Sequence, residues 1–380
     1  MNLLRFKRAV LKVFYIFRIH KCRVFLTAYE GKQYSCNPKY LFEAMCQDKY
    51  FGDYEFIWEF NDPNSLSDID SCYAKRISHT VKHNSFKYFK YMLTSRIIIT
   101  NSSVTGAIPL RSGQINLNTW HGGGAYKKVG FANTSTVDDE ESLRISSDQT
   151  TYYVSSSRIF TQVQKDSVMI DEDKFISVGM PRNDIFFDRQ RMSSLRNKVL
   201  SLYSIPADSF IVLYAPTYRG SVGKDDFSEI SIDVECLQKL VKQKFSKNMV
   251  FLFRAHYFNS NNISGDNIIP VSDYPDMQEL LAASDMLITD YSSSMWDFSL
   301  TGKPCILYVD DLDKYQDERG FYTPVSSWPG IVCRNTEELV TAVEEYDPTV
   351  YSKKINQYLL ESGSFDSGHA CQKILNILKK

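Results

Sequence analysis

The stretch Asn118 to Gly130, NTWHGGGAYKKVG, sets His121 against Gly122, Gly123 and Gly124 and follows them with Lys127 and Lys128. An imidazole titrates near neutrality, so it can take a proton from an attacking hydroxyl or, when charged, face a developing phosphate. Glycine serves where the chain needs φ > 0 or where a ligand approaches the amides, and the two lysines favour an anionic ligand. A second stretch, ITDYSSSMWDFSLTGKP (288–304), ends a strand at Asp290 and opens a short helix on Ser292, Ser293 and Ser294, closed by Gly302 and Pro304. Free amides, hydroxyls and the positive helix end together form a phosphate site; plain N-capping is the simpler alternative, since serine and aspartate are ordinary caps. His256, two residues after Arg254 in FLFRAHY, is the second candidate ring. Arg219 in YAPTYRG and Arg182 in GMPRND carry guanidinium forks that match phosphate geometry, or pair with an acid at a domain junction. His20, His79, His83 and His369 lack comparable surroundings and read as structural.

These residues need strands to present them. Apolar runs RVFLTAY (23–29), YEFIWEF (54–60), SRIIIT (95–100), QINLNTW (114–120) and TYYVSS (151–156) alternate with helical patterns. After a polar, helix-leaning stretch around 185–205 the alternation restarts with FIVLYAP (210–216), MVFLFRAHY (249–257), NIIPVS (267–272), DMLITD (285–290) and CILYV (305–309). Such alternation predicts parallel sheets covered by helices. Two successive series predict an α/β protein of two Rossmann-like, doubly wound domains facing a central cleft, divided as 23–190 and 191–380. Ligands of such sheets collect beyond the carboxyl ends of the strands. His121, Arg219, His256, Asp290 and the serines all fall at such ends.

At 380 residues the chain is long for a single core and fits two domains. A formal net charge of −1 argues against a general nucleic-acid binder. The eight cysteines show no C-x-x-C and no metal spacing, so they read as reduced, mostly buried thiols. The charge anomaly is local. Residues 1–22 carry Arg5, Lys7, Arg8, Lys12, Arg18 and Lys21 with no acid, interleaved with Leu3, Leu4, Phe6, Val10, Leu11, Phe14 and Phe17. Basic residues interrupt every apolar run well short of the roughly 20 that a spanning helix needs. The segment reads as a basic amphipathic helix for an anionic membrane surface, or as a helix on the core with a solvated basic face.

Taken in order, the landmarks resemble the CDP-glycerol glycerophosphotransferase family of teichoic acid synthesis. The carriers are GKQYSCNPKYLFEAM, NTWHGGG, GMPRND, YAPTYRG, FRAHY and LITDYSSSMWDFSLTGKPCILYVDDLDKYQDERGFY. The resemblance implies the GT-B architecture and transfer of an alditol phosphate, glycerol phosphate foremost, from CDP-glycerol or CDP-ribitol to a hydroxyl, with CMP leaving. The acceptor it implies is a lipid-linked (undecaprenyl diphosphate) saccharide or growing polymer at the cytoplasmic face of the membrane. Carried over by position, His121 matches the proposed base and His256 the second histidine beside the donor pyrophosphate. Asp290, Ser292, Ser293 and Ser294, with Arg219 and Arg254, match the donor-phosphate side; Gly122, Gly123, Gly124 and Lys127 the acceptor loop; Arg182 and Arg319 are further candidates. No tightly bound cofactor or metal is implied, and Mg²⁺ in solution is compatible with assisting the pyrophosphate. Gly123-Gly124 stands where the family usually has Thr-Pro, which predicts a smaller acceptor-side loop with more room for a bulky acceptor. Capsule or another surface polymer stays open beside teichoic acid. The alternatives are a GT-B glycosyltransferase using a nucleotide sugar and a non-catalytic polymer-binding protein.

Overall fold

The computed structural model describes residues 3–67, 69–132, 137–217, 232–254 and 268–380. The chain divides into two units, one formed by 1–123, 128–184 and 364–380, the other by 124–127 and 185–363. The strands of the first unit are β1 (His20–Thr27), β2 (Glu55–Glu59), β3 (Ile77–Val81), β4 (Ser95–Thr100), β5 (Ile115–Asn118), β6 (Tyr152–Ser155) and β7 (Phe175–Ser177). They form one seven-stranded sheet in the order β3-β2-β1-β4-β5-β6-β7, with every pair parallel. The second unit holds β8 (Phe210–Tyr214), β9 (Met249–Phe253), β10 (Ile268–Pro270), β11 (Met286–Thr289), β12 (Cys305–Tyr308) and β13 (Ile331–Cys333). Their order is β10-β9-β8-β11-β12-β13, again all parallel.

Both orders reverse direction once, between β1 and β4 and between β8 and β11. Such switch points open a crevice beyond the carboxyl ends of the strands. Because helices cover both faces, the central strands are continuous apolar runs with no alternation; β8 (FIVLY) and β9 (MVFLF) are buried at every position. Helices Val234–Phe245 and Thr336–Glu344 contribute Leu237, Leu240, Val241, Leu339 and Val343 to the core on one face of the second sheet. Pro270 is tolerated because β10 lies at an edge.

The parallel α/β expectation holds for both series. The short strands β3, β7 and β13 escape a reading by apolar runs, since ISHTV, FIS and IVC are brief or mixed. The chain terminus departs from the expected boundary: helix Ala370–Leu378 belongs to the first unit, not to the domain that precedes it in sequence. Two contacts explain this. Ala370, Ile374, Leu375 and Leu378 are buried, and the Asp184 carboxylate accepts from the amides of Ala370 (2.9 Å) and Cys371 (2.8 Å) at the helix start.

At the amino end, helix Leu3–Leu11 has no buried residue. The chain is pinned just after it by Phe14, which is buried with ring centroids 5.0 Å from Phe86 and 6.5 Å from Phe89. Leu3, Phe6, Val10, Val13 and Ile16 all stay exposed. No helix among the described residues is long and apolar enough to cross a membrane.

Candidate functional site

His121 stands just beyond β5, on a backbone held from several sides. Trp120 adopts φ +52°, a left-handed conformation that a bulky residue takes only when its surroundings impose it. Here they do. Asn118 Oδ1 accepts from the Trp120 amide at 2.9 Å. Asn37 Nδ2 donates to the carbonyls of Thr119 (3.0 Å) and Trp120 (2.9 Å). Arg182 Nη1 donates to the His121 carbonyl at 2.8 Å and to Cys36 Sγ at 3.1 Å, while its amide donates to Asn37 Oδ1 at 3.1 Å. A buried guanidinium must place its protons on nearby acceptors, and the nearest ones are in this loop. Within the first unit Arg182, proposed from the sequence as a phosphate fork or junction partner, therefore braces the segment that carries His121.

The ring is oriented as well. His121 Nδ1 lies 2.9 Å from the carbonyl oxygen of Asn101. A carbonyl only accepts, so Nδ1 carries the proton and in the neutral ring the lone pair sits on Nε2. Tyr29 meets the imidazole edge-on at 5.9 Å, and Trp120 lies against it at 4.5 Å. The arrangement leaves a half-buried imidazole with a defined tautomer at the carboxyl end of a parallel sheet. That is what a general base requires.

The glycines behave differently from the expectation of an open cradle. None of Gly122, Gly123 and Gly124 has positive φ. Gly123 accepts a hydrogen bond from Ser156 Oγ. A Cβ on Gly124 would fall 2.0 Å from the Tyr126 ring, so that glycine admits the protein's own aromatic side chain rather than a larger acceptor. The tetrapeptide Gly124–Lys127 belongs to the second unit, where Tyr126 is buried against Trp328 (4.8 Å) with its hydroxyl 3.1 Å from that of Tyr358. Lys127 pairs with Phe321 in an isolated antiparallel bridge, and Lys128 is exposed.

In the second unit the other candidates gather at the β8/β11 switch point. The buried Asp290 carboxylate accepts from the Thr217 amide with both oxygens at 2.9 Å, and from the Tyr291 amide at 2.6 Å. It thereby ties the ends of β8 and β11 together. Ser292 Oγ accepts from the amide (3.2 Å) and hydroxyl (3.0 Å) of Ser294, at the start of helix Ser294–Ser299. Ser292 thus closes a local serine turn, while the N-cap Ser293 makes no side-chain capping bond and both serines remain partly exposed. Tyr291 is fixed by its hydroxyl on Asp311 (2.8 Å) and by stacking on Tyr315 at 3.9 Å.

Arg254 follows β9 and donates to the carbonyl of Tyr274 at 2.6 Å. Arg319 is exposed in the last turn of helix Leu312–Arg319. His256 and Arg219 lie outside the described residues. Among the described residues no group of His, Cys, Asp and Glu has the arrangement of a metal site. Sequence reasoning missed Asn37, Asn101 and Tyr29. Asn37 carried a usable signal in its place before Pro38, Asn101 in following the apolar run SRIIIT and Tyr29 in closing the run RVFLTAY.

Known proteins resemble the chain over almost its whole length. The chain is 29% identical over 377 residues to the teichoic acid glycerol-phosphate transferase of Staphylococcus aureus, covering 95% of this chain and 94% of that protein. It is 30% identical over 371 residues to the teichoic acid poly(glycerol phosphate) polymerase of Staphylococcus epidermidis, covering 93% of this chain but only 50% of that protein, so it spans half of that relative's length. The solved structure of the wall teichoic acid polymerase TagF superposes with a TM-score of 0.82 at 27% identity, over 99% of this chain and 94% of that one. The sequence profile of the CDP-glycerol:poly(glycerophosphate) glycerophosphotransferases matches residues 9–380, and the chain belongs to that family.

Proposed function

We propose that the protein transfers glycerol phosphate from CDP-glycerol to a hydroxyl of a lipid-linked saccharide or growing polymer in teichoic acid synthesis, releasing CMP. The observation that carries this reading is the bond from His121 Nδ1 to the Asn101 carbonyl, which turns Nε2 into the proton acceptor. In the reaction Nε2 takes the proton of the acceptor hydroxyl as its oxygen attacks the phosphorus of the glycerol phosphate. The bond from that phosphorus to the bridging oxygen breaks, and CMP leaves with the electron pair. The donor pyrophosphate is assigned to the β8/β11 switch point, where Ser292 and Ser293 offer hydroxyls at a helix start and Asp290 holds the turn closed. His256, Arg219 and Arg254 are assigned to the same phosphates on the family resemblance alone. Lys127 adds positive potential, and Arg319 is kept as an outer contact. The acceptor is assigned as an undecaprenyl diphosphate-linked saccharide. The exposed apolar row Leu3, Phe6, Val10, Val13 and Ile16, beside Arg5, Lys7 and Lys12, supports peripheral attachment to an anionic cytoplasmic membrane face.

The deciding experiment incubates the protein with CDP-glycerol, CDP-ribitol and UDP-sugars in turn, with a lipid-linked acceptor analogue. CMP release from CDP-glycerol, dependent on the acceptor, is the expected result. CMP release from CDP-ribitol alone would reassign the alditol. UDP release would reassign the protein to sugar transfer, and no release from any donor would remove the catalytic reading.

A further inference from the structure

Around the switch point of the first sheet lies a polar cluster that the reaction itself does not use. Immediately after β1, Tyr29, Glu30 and Gly31 run in succession through left-handed backbone, with φ of +50°, +56° and +78°. For tyrosine and glutamate this is unfavourable, so consecutive left-handed residues persist only when both ends are held. One end is held by Asn101, fully buried after β4, whose Oδ1 accepts from the Tyr29 amide at 2.8 Å. The other is held by Asn61, after β2, which donates from Nδ2 to the Glu30 carbonyl (2.7 Å) and from its amide to the Gly31 carbonyl (2.8 Å). Asn61 is itself tied by the His83 amide, which donates to Asn61 Oδ1 at 3.3 Å. Beneath the turn the buried Glu59 carboxylate contacts His83 Nδ1. A Cβ on Gly31 would come within 2.7 Å of Glu59 Cγ, so the turn rests directly on the Glu59 side chain.

The turn leads to His121. Asn101 presents its carbonyl to His121 Nδ1 and its side chain to Tyr29, and the Tyr29 ring in turn lies edge-on to the imidazole. One asparagine therefore sets both the tautomer of the base and the wall beside it.

We propose that the turn Tyr29–Gly31, clamped between Asn101 and Asn61 over the Glu59–His83 pair, is a positioning element for the imidazole of His121. The inference rests on His121 acting as the base. Tyr29 and Asn101 set the ring directly; Gly31, Asn61, Glu59 and His83 act only through them.

The test uses Gly31→Ala and Asn61→Ala, which alter the clamp at positions without contact to His121. Their kcat is expected to fall about ten- to a hundredfold, because small misplacements of a reacting group carry penalties of that order, while KM for CDP-glycerol stays unchanged. The nitrogen resonances of the His121 imidazole, read without substrate, should change from one Nδ1-protonated tautomer to a mixture. Tyr29→Ala, which removes the ring that lies edge-on to the imidazole, should lower kcat in the same way. If Gly31→Ala fails to fold, the milder Asn61→Ala decides. An unchanged kcat with a single tautomer in Asn61→Ala overturns the proposal. So does a lowered melting temperature with the tautomer unmoved, since the turn would then be merely structural. Because the tautomer is read without any donor, absence of CMP release would count against the proposed reaction while leaving this outcome to be judged separately.

Discussion

His121 depends on two kinds of neighbour, those that hold its backbone and those that hold its ring. Asn37 and Arg182 donate to the carbonyls of residues 119–121, and Asn101 accepts from Nδ1. His121 in its proposed role as general base is worth about 10²–10⁴-fold in rate, so His121→Ala should lower kcat by that order in a CMP-release assay, with donor affinity by calorimetry nearly unchanged. Near wild-type turnover in that variant would reduce the histidine to a loop anchor. The placement of His121 at a strand exit was legible because the apolar run before it is a local feature. The part played by Arg182 was not, since a guanidinium is equally suited to phosphate, carboxylate and carbonyl oxygens, and only burial beside this loop decides among them.

Among the elements, the β8/β11 switch point holds the proposed donor-phosphate turn of the second unit. A helix beginning at Ser294, and Asp290 bonded to the amides of Thr217 and Tyr291, hold the serine turn rigidly at the strand ends. Hydroxyl bonds to a charged phosphate are worth about 1.5–3 kcal/mol each. Replacing Ser292 and Ser293 together by alanine should therefore weaken CDP and CDP-glycerol binding by more than tenfold in titration calorimetry. Loss of the Ser292 hydroxyl, which accepts from the amide and hydroxyl of Ser294, should also lower the melting temperature slightly. Lower stability with wild-type CDP affinity would leave the turn as a structural one only. The glycine loop carries the opposite lesson: read as open space for a ligand, it is in part the space needed by Tyr126.

For the whole molecule, the proposed attachment to a membrane surface rests on the amino-terminal helix. Arg8 differs from its neighbours, since its guanidinium donates to the carbonyls of Gly106 and Ile108 and to Gln149 Oε1; replacing it would disturb the fold. Arg5, Lys7 and Lys12 are exposed, although Arg5 reaches Glu141 at 2.9 Å. Exchanging these three for glutamine should move the protein from the pellet to the supernatant with vesicles containing anionic lipid, because each basic residue near such a surface contributes about 1 kcal/mol. Turnover of a soluble acceptor analogue should be preserved. Pelleting that persists at moderate salt would count against charge-driven attachment.

What the sequence determined by itself was whatever depends on neighbours along the chain. Apolar runs separated by helical patterns specified two parallel α/β series, and strand exits located His121 and the serine turn, because side-chain period and backbone preference are local properties. The tertiary structure decided what depends on residues far apart. It joined Ala370–Leu378 to the first unit through Asp184, placed Tyr126 in the second unit's core, and brought Tyr29, Asn101 and His121 together from three strand ends. The physical reason is that buried amides, carbonyls and ring nitrogens must find partners wherever the fold brings them. No periodicity in the chain records which asparagine will meet which histidine.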